Sequence, residues 1–148
     1  THGHNDHIGA ARDFASLVGA PRIWLNPADR MLWDVVFPDV APDAEVHDGD
    51  VFEVAGGSLR ALHTPGHTPG STCYYLESEL TLFSGDTLFN GGPGATGRSF
   101  SDFPTIITSI TDRLLSLPSD VRVLTGHGES TTIGAEAPHR AEWIARGY

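Results

Sequence analysis

Apolar residues recur at helical spacing at Ile8, Ala11, Phe14, Ala15 and Val18. The spacing predicts an amphipathic helix from near Asp6 to near Gly19, with Pro21 as a stop just beyond. Arg22-Ile23-Trp24-Leu25 reads as a short buried strand, Pro27 to Trp33 as a helical turn, and Phe37 to Asp43 as a Pro-rich loop. Four strand-like runs follow at Asp50–Val54, Ser58–His63, Thr72–Leu76 and Leu80–Phe83, and Gly56-Gly57 predicts a hairpin turn between the first two. Ile106, Ile110, Leu114 and Leu117 mark a helix ended by Pro118. Val121–Leu124 is the last strand, and Pro138 to Arg146 a final helix capped by Gly147. Clustered strands flanked by helices predict an α/β sheet with helices outside. With 148 residues and no internal repeat, residues 1–148 are expected to form a single domain.

The polar positions with chemistry are concentrated where those elements begin or end. His2-Gly3-His4-Asn5-Asp6-His7 offers four potential metal ligands within six residues. His2 and His4 can point the same way from an extended segment, while Asp6 and His7 fall where the chain turns helical, so the run can serve two adjacent ions. Nitrogen and carboxylate donors mixed in this way suit Zn²⁺, with iron and manganese as alternatives. A histidine-rich tract alone also reads, with less weight, as a solvated loop or a tag. Three later segments change that weighing. They are His63-Thr64-Pro65-Gly66-His67-Thr68-Pro69-Gly70-Ser71, Phe83-Ser84-Gly85-Asp86-Thr87-Leu88-Phe89 and Thr125-Gly126-His127-Gly128. Each sets a His or Asp in a Gly- or Pro-marked turn after an apolar run, where a rigid sheet can hold it.

These four segments, in this order, resemble the metallo-β-lactamase-fold hydrolases, and within them the glyoxalase II-like (hydroxyacylglutathione hydrolase-like) branch. The resemblance runs from Thr1 through Thr131-Thr132-Ile133-Gly134 to the final helix. It implies a four-layer αββα sandwich with two metals at one edge between the sheets. It also implies His2, His4 and His67 on the first metal, Asp6, His7 and His127 on the second, and Asp86 bridging both. The second histidine of His63-Thr64-Pro65-Gly66-His67 is the one implied as ligand.

The chemistry expected of that constellation is a hydroxide bridging two Zn²⁺ ions, available because paired metals lower the pKa of water to roughly 7. One metal would stabilise the developing oxyanion, and Asp6 would orient the hydroxide or shuttle its proton. Thioesters, lactones and related esters are the natural targets, since their leaving groups need little protonation. Full-length glyoxalase II carries a C-terminal helical domain, and no such platform is expected from the twenty or so residues that follow His127 here, so a glutathione thioester is expected as only one candidate among small acyl substrates. The family also carries strands before its first metal motif. The expectation is therefore that the 148 residues are a piece of a longer chain or, failing that, that a second copy covers the bare sheet in a homodimer. Two other classes stay open: a mononuclear iron persulfide dioxygenase and a non-catalytic metal-binding protein.

Composition narrows the partners. Nine Lys and Arg against nineteen Asp and Glu give a net charge of −10, which argues against nucleic acid. No apolar run reaches membrane-spanning length, so no membrane partner is expected. The single Cys73 excludes an internal disulfide, fits a cytoplasmic compartment and reads as an inert packed thiol. His63 reads as a packed strand-end residue, with a hydrogen-bonding role behind the site as the alternative. His47 and His139 read as surface residues, and Trp24, Met31 and Trp33 as core. Arg98 can meet a substrate carboxylate or form a structural ion pair.

Overall fold

A computed structural model describes residues 1–54 and 56–147. The chain opens in an extended segment and enters α1 (Asn5–Ile8), then α2 (Ala11–Leu17). The single helix expected over this stretch is thus broken at Gly9-Ala10. Glycine is a weak helix former, and Ala10 leaves the helical region with ψ near 1°. A two-stranded parallel pair follows, β1 (Trp24–Leu25) with β2 (Ala44–Glu45), spanning α3 (Arg30–Val36).

The main sheet has six strands. They are β3 (Val51–Val54), β4 (Gly57–His63), β5 (Thr72–Leu76), β6 (Thr81–Gly85), β9 (Arg122–Thr125) and β10 (Thr131–Thr132), in the spatial order β10-β9-β6-β5-β4-β3. Neighbours are antiparallel except β6 and β9, which run parallel. Between β6 and β9 lie the small hairpin β7 (Leu88–Phe89) and β8 (Gly92–Pro93), then α4 (Phe103–Ser109), which continues into a π-helical turn at Ile110–Leu114. The chain finishes with α5 (Ile133–Glu136) and α6 (Arg140–Arg146), ended by Gly147 in the left-handed region.

Most elements fall within one or two residues of the sequence reading, and Thr72–Leu76 falls on it. Val54 pairs with Gly57, so Gly57 belongs to β4 and not to the Gly56-Gly57 turn expected; residue 55 lies outside the described residues. Leu80 sits in the left-handed region, so β6 starts at Thr81.

Strand alternation gives the sheet two apolar faces. Leu62, Cys73, Tyr75, Leu82 and Val123 point to one side, where Ile106, Ile110, Leu114 and Trp143 bury them. Leu82 and Ile106 are fully buried, so truncating Leu82 to Ala would cost about 2–5 kcal/mol. On the opposite side Ile8, Leu25 and Trp33 form a smaller core with Ile23, Val36 and Phe37. The layers run α–β–β–α, with the second sheet present as the short β1–β2 pair. Trp24 and Met31 are each 40% exposed, so of the three residues read as core only Trp33 is. Trp24 reaches over this less covered face and meets Phe52 edge-on at 5.1 Å, and Phe83 on the same face is 39% exposed. Cys73 is a buried thiol, and burial pushes its pKa up. No helix among the described residues is long and apolar enough to cross a membrane.

Candidate metal centre

The parallel pairing of β6 and β9 decides where the centre forms. Gly85 registers with Thr125, so the residues just after both strands, Asp86 and His127, emerge at the same edge. The loop 64–71 between β4 and β5 brings His67 to that edge. His2 and His4 arrive from the extended N-terminal segment, and Asp6 and His7 from the first turn of α1.

All seven residues singled out for metal converge, in two triads. His4 Nδ1 lies 3.0 Å from His2 Nε2 and 3.1 Å from His67 Nε2. His127 Nε2 lies 3.1 Å from both His7 Nε2 and Asp6 Oδ2. Asp86 stands between them, with Oδ1 3.3 Å from His7 Nε2 and Oδ2 3.6 Å from both His67 Nε2 and His127 Nε2. Donor atoms of each triad lie within 4.8 Å of one another, and His2, His7 and Asp86 make a further such group. Nitrogens around a tetrahedral zinc at 2.0–2.1 Å stand about 3.3 Å apart, close to these spacings.

Three observations bear on whether a cation fits. Imidazole nitrogens from His2, His4, His67, His7 and His127 face one another at 3.0–3.1 Å, beside the carboxylates of Asp6 and Asp86. Asp86 Oδ1 is buried and has no hydrogen-bond partner. A Cβ on Gly126 would collide with that same oxygen and come within 3.0 Å of His7 Cε1, so only glycine leaves the space open. The residues present fit a pair of divalent ions.

Electrostatics agree. Burial, then the neighbouring His7 and His67, push His2 down to about 2. Burial and His67 also lower His4. Burial alone would raise Asp86, but contact with His7 and the proximity of His2 and His67 outweigh it and hold the carboxyl below its usual range. His2 and His4 are thereby held neutral and Asp86 charged, the protonation states in which such groups ligate a metal.

Supporting contacts orient the ligands. His67 Nδ1 donates to the Ala95 carbonyl at 2.8 Å, which leaves Nε2 facing the centre. His63, read as a packed strand-end residue, is half-buried and makes a 2.8 Å hydrogen bond from Nε2 to the Pro69 carbonyl, bracing the loop that carries His67. Glu136 is buried; it accepts from the Gly91 amide at the tip of the β7–β8 hairpin and from Thr131 Oγ1 at 2.7 Å. His47 and His139 are exposed beside Glu45 and Glu142, away from the centre.

A cleft of about 450 Å³ opens over the centre, lined by His4, Asn5, Asp6, His67, Asp86, Ala95, Arg98 and His127. Arg98 is exposed there and forms no ion pair among the described residues. One residue that sequence reasoning passed over is Asp29, which is fully buried directly behind the first triad. Its signal was its position: Asp29, Trp33 and Val36 fall on one helical face, so a carboxylate interrupts an apolar stripe.

Comparison with known proteins agrees with this geometry. The family model described as the metallo-beta-lactamase superfamily matches residues 1–127. The chain belongs to that superfamily. It is 36% identical over 149 residues to hydroxyacylglutathione hydrolase GloC of Haemophilus influenzae, covering 92% of this chain and 70% of the relative. Among solved structures, the BLEG-1 B3 metallo-beta-lactamase superposes with a TM-score of 0.83 at 30% identity, over 94% of this chain and 72% of that one. TTHA1623, solved in a di-iron-bound form, superposes with a TM-score of 0.77 at 33% identity, over 93% and 72%. The fold and relatives define a metal-dependent hydrolase in general.

Proposed function

We propose that the protein is a dinuclear, zinc-dependent, glyoxalase II-like hydrolase that cleaves a small acyl thioester or a related ester or lactone. The observation that carries the reading is the pair of triads sharing Asp86 at the floor of an open cleft. His2, His4 and His67 would hold one ion and Asp6, His7 and His127 the other, with Asp86 offering an oxygen to each. Bound there, a pair of divalent ions supplies Lewis acidity and an activated water near neutral pH. Iron or manganese would fit the same donors, and TTHA1623 carries two irons.

The chain's own residues do the rest. Asp6 Oδ2, at the cleft and 3.1 Å from His127 Nε2, takes and returns the proton of the attacking water. The Ala95 carbonyl keeps the His67 tautomer fixed through the cycle. Arg98, which forms no ion pair among the described residues, receives a carboxylate on the acyl substrate. The thioester class is favoured because thiolates leave without prior protonation and because the Haemophilus relative is named for such a substrate.

The test is a hydrolysis panel of acyl thioesters, lactones and a β-lactam on protein of measured metal content. Two ions per chain and fastest turnover of a carboxylate-bearing thioester are expected. Arg98→Ala should raise KM for that substrate about tenfold or more while leaving its uncharged counterpart nearly unchanged. A single iron per chain with oxygen uptake would overturn the hydrolase reading in favour of the dioxygenase. Two ions with no hydrolysis would favour a metal-binding protein.

A further inference from the structure

Asp29 lies at the turn into α3, far in sequence from the metal motifs, yet it touches two of them. Oδ2 accepts from the Gly3 amide at 2.8 Å and from Thr68 Oγ1 at 2.7 Å, and Oδ1 accepts from the Gly70 amide at 2.6 Å. Gly3 separates His2 from His4, and Thr68 follows His67. The carboxylate therefore ties together the two segments that supply all three nitrogens of the first triad.

Its surroundings are built to admit it. A Cβ on Gly70 would stand 2.6 Å from Asp29 Cγ, and one on Gly3 would stand 3.1 Å from Asp29 Cβ and 2.9 Å from Leu32 Cβ. Thr68 gives its hydroxyl proton to Asp29, so the 2.8 Å contact with Ser71 Oγ has Ser71 donating; Ser71 Oγ in turn accepts the Thr68 amide at 3.1 Å. All three groups on Asp29 are donors, and no Lys, Arg or His among the described residues pairs with it. A buried anion without a cationic partner is costly. The centre that His4 and His67 face lies close enough for a cation there to offset that charge, since Asp29 already acts electrostatically on His4.

We infer that Asp29 is a positioning residue for the first metal: it clamps the His2–His4 and His67 segments in the ligating arrangement, and its buried charge is balanced by the cation they hold. The inference rests on the reading of the two triads as metal sites. It makes a specific asymmetry. Asp29 touches no segment that carries Asp6, His7 or His127, except through the chain connecting His4 to Asp6, so the second ion should scarcely feel it.

The experiment titrates metal-free full-length protein with Co²⁺ and Zn²⁺ against a chelating competitor, following the Co²⁺ visible spectrum, for wild type, Asp29→Asn and Thr68→Val. Asp29→Asn keeps the shape but removes the charge and sets an amide NH₂ against donors. It should weaken the first ion about 10–100-fold, the range for a group that orients a ligand, and the second less than about threefold. It should also alter the Co²⁺ spectrum of the first site, because the ligand angles change. Thr68→Val keeps the charge, loses the hydroxyl's bond to Asp29 and the one it accepts from Ser71, and should weaken the first ion only severalfold. Equal weakening of both ions, or unchanged affinity and spectrum in a folded Asp29→Asn protein, would overturn the role. An Asp29→Asn protein that does not fold leaves Thr68→Val to decide: no selective loss at the first site overturns the proposal. Wild type that binds no metal would instead overturn the site reading itself, a separate outcome.

Discussion

His2 and His67 are 2% and 8% exposed, whereas the side chains of Asp6 and His127 keep 61% and 55% of their surface in solvent. Two of the first triad's rings, His2 and His67, are desolvated, and the triad is held from behind by Ala95, Asp29 and the braced 64–71 loop. The second hangs on the opening turn of a four-residue helix and on the loop after β9. The difference separates two tasks within one centre. A buried, pre-oriented set of imidazoles retains its ion, because little entropy remains to be lost on binding. An exposed set leaves its ion open to substrate and to exchange.

The strongest way to break this picture is Asp86→Ala, since Asp86 sets a carboxylate oxygen beside ligands of each triad. Metal content should fall at both sites, and hydrolysis should drop by more than the roughly 100-fold expected for a merely supporting residue. Retention of two ions would remove Asp86 from the bridging role. Next in size is a pair of single variants. His127→Ala should leave about one tightly held ion per chain, while His67→Ala should loosen the first ion and disturb the second through Asp86. Dialysis of wild type against a weak chelator should likewise remove one ion well before the other; simultaneous loss would mean the two triads do not differ as their exposure suggests.

Acidification sharpens the comparison in chelated protein. His2 titrates at about 2 when folded but near its ordinary 6.5 when unfolded, so below 6.5 the unfolded chain takes up a proton that the folded chain refuses. Stability is therefore complete above pH 6.5 and erodes as pH falls below it, by up to about 1.4 kcal/mol per pH unit for this residue. Urea unfolding at pH 7.5 and 5.5 would register the loss, and a flat profile would contradict the buried neutral state. The smallest effect concerns His63→Ala. It removes only the brace to Pro69, so first-site affinity should fall about tenfold or less. A loss as large as that of His67→Ala would exchange the roles of the two histidines.

The ligand motifs were legible in the sequence because each sits in a turn whose Gly and Pro residues announce a strand end, and strand ends at one edge of a sheet meet in space. Five of the six strands of the main sheet were legible for a related reason, since β-branched and aromatic runs alternate with those turns; β10, two residues long, was not. Asp29 was not read, because its partners are two backbone amides and a hydroxyl 26, 41 and 39 residues away, and no local spacing encodes that meeting. The β7–β8 hairpin escaped for want of apolar alternation: its strands are two residues each. Trp24 misled in the other direction. Its apolar character said core, but burial depends on what lies across the sheet, and the described residues place little there.

Glu136 joins the last part of the chain to the rim of the cleft. It holds the amide of Gly91, and the strand leaving that turn runs through Gly92 and Pro93 to Ala95, whose carbonyl fixes His67. The consequence is one of timing. Opening of the C-terminal helices would release the hairpin tip and slacken the His67 ring with it, so these distant parts should fluctuate as one cooperative unit. The Gly91 and Gly94 amides should then exchange with deuterium at rates set by the unfolding of α5 and α6, and Glu136→Gln should speed all of them together.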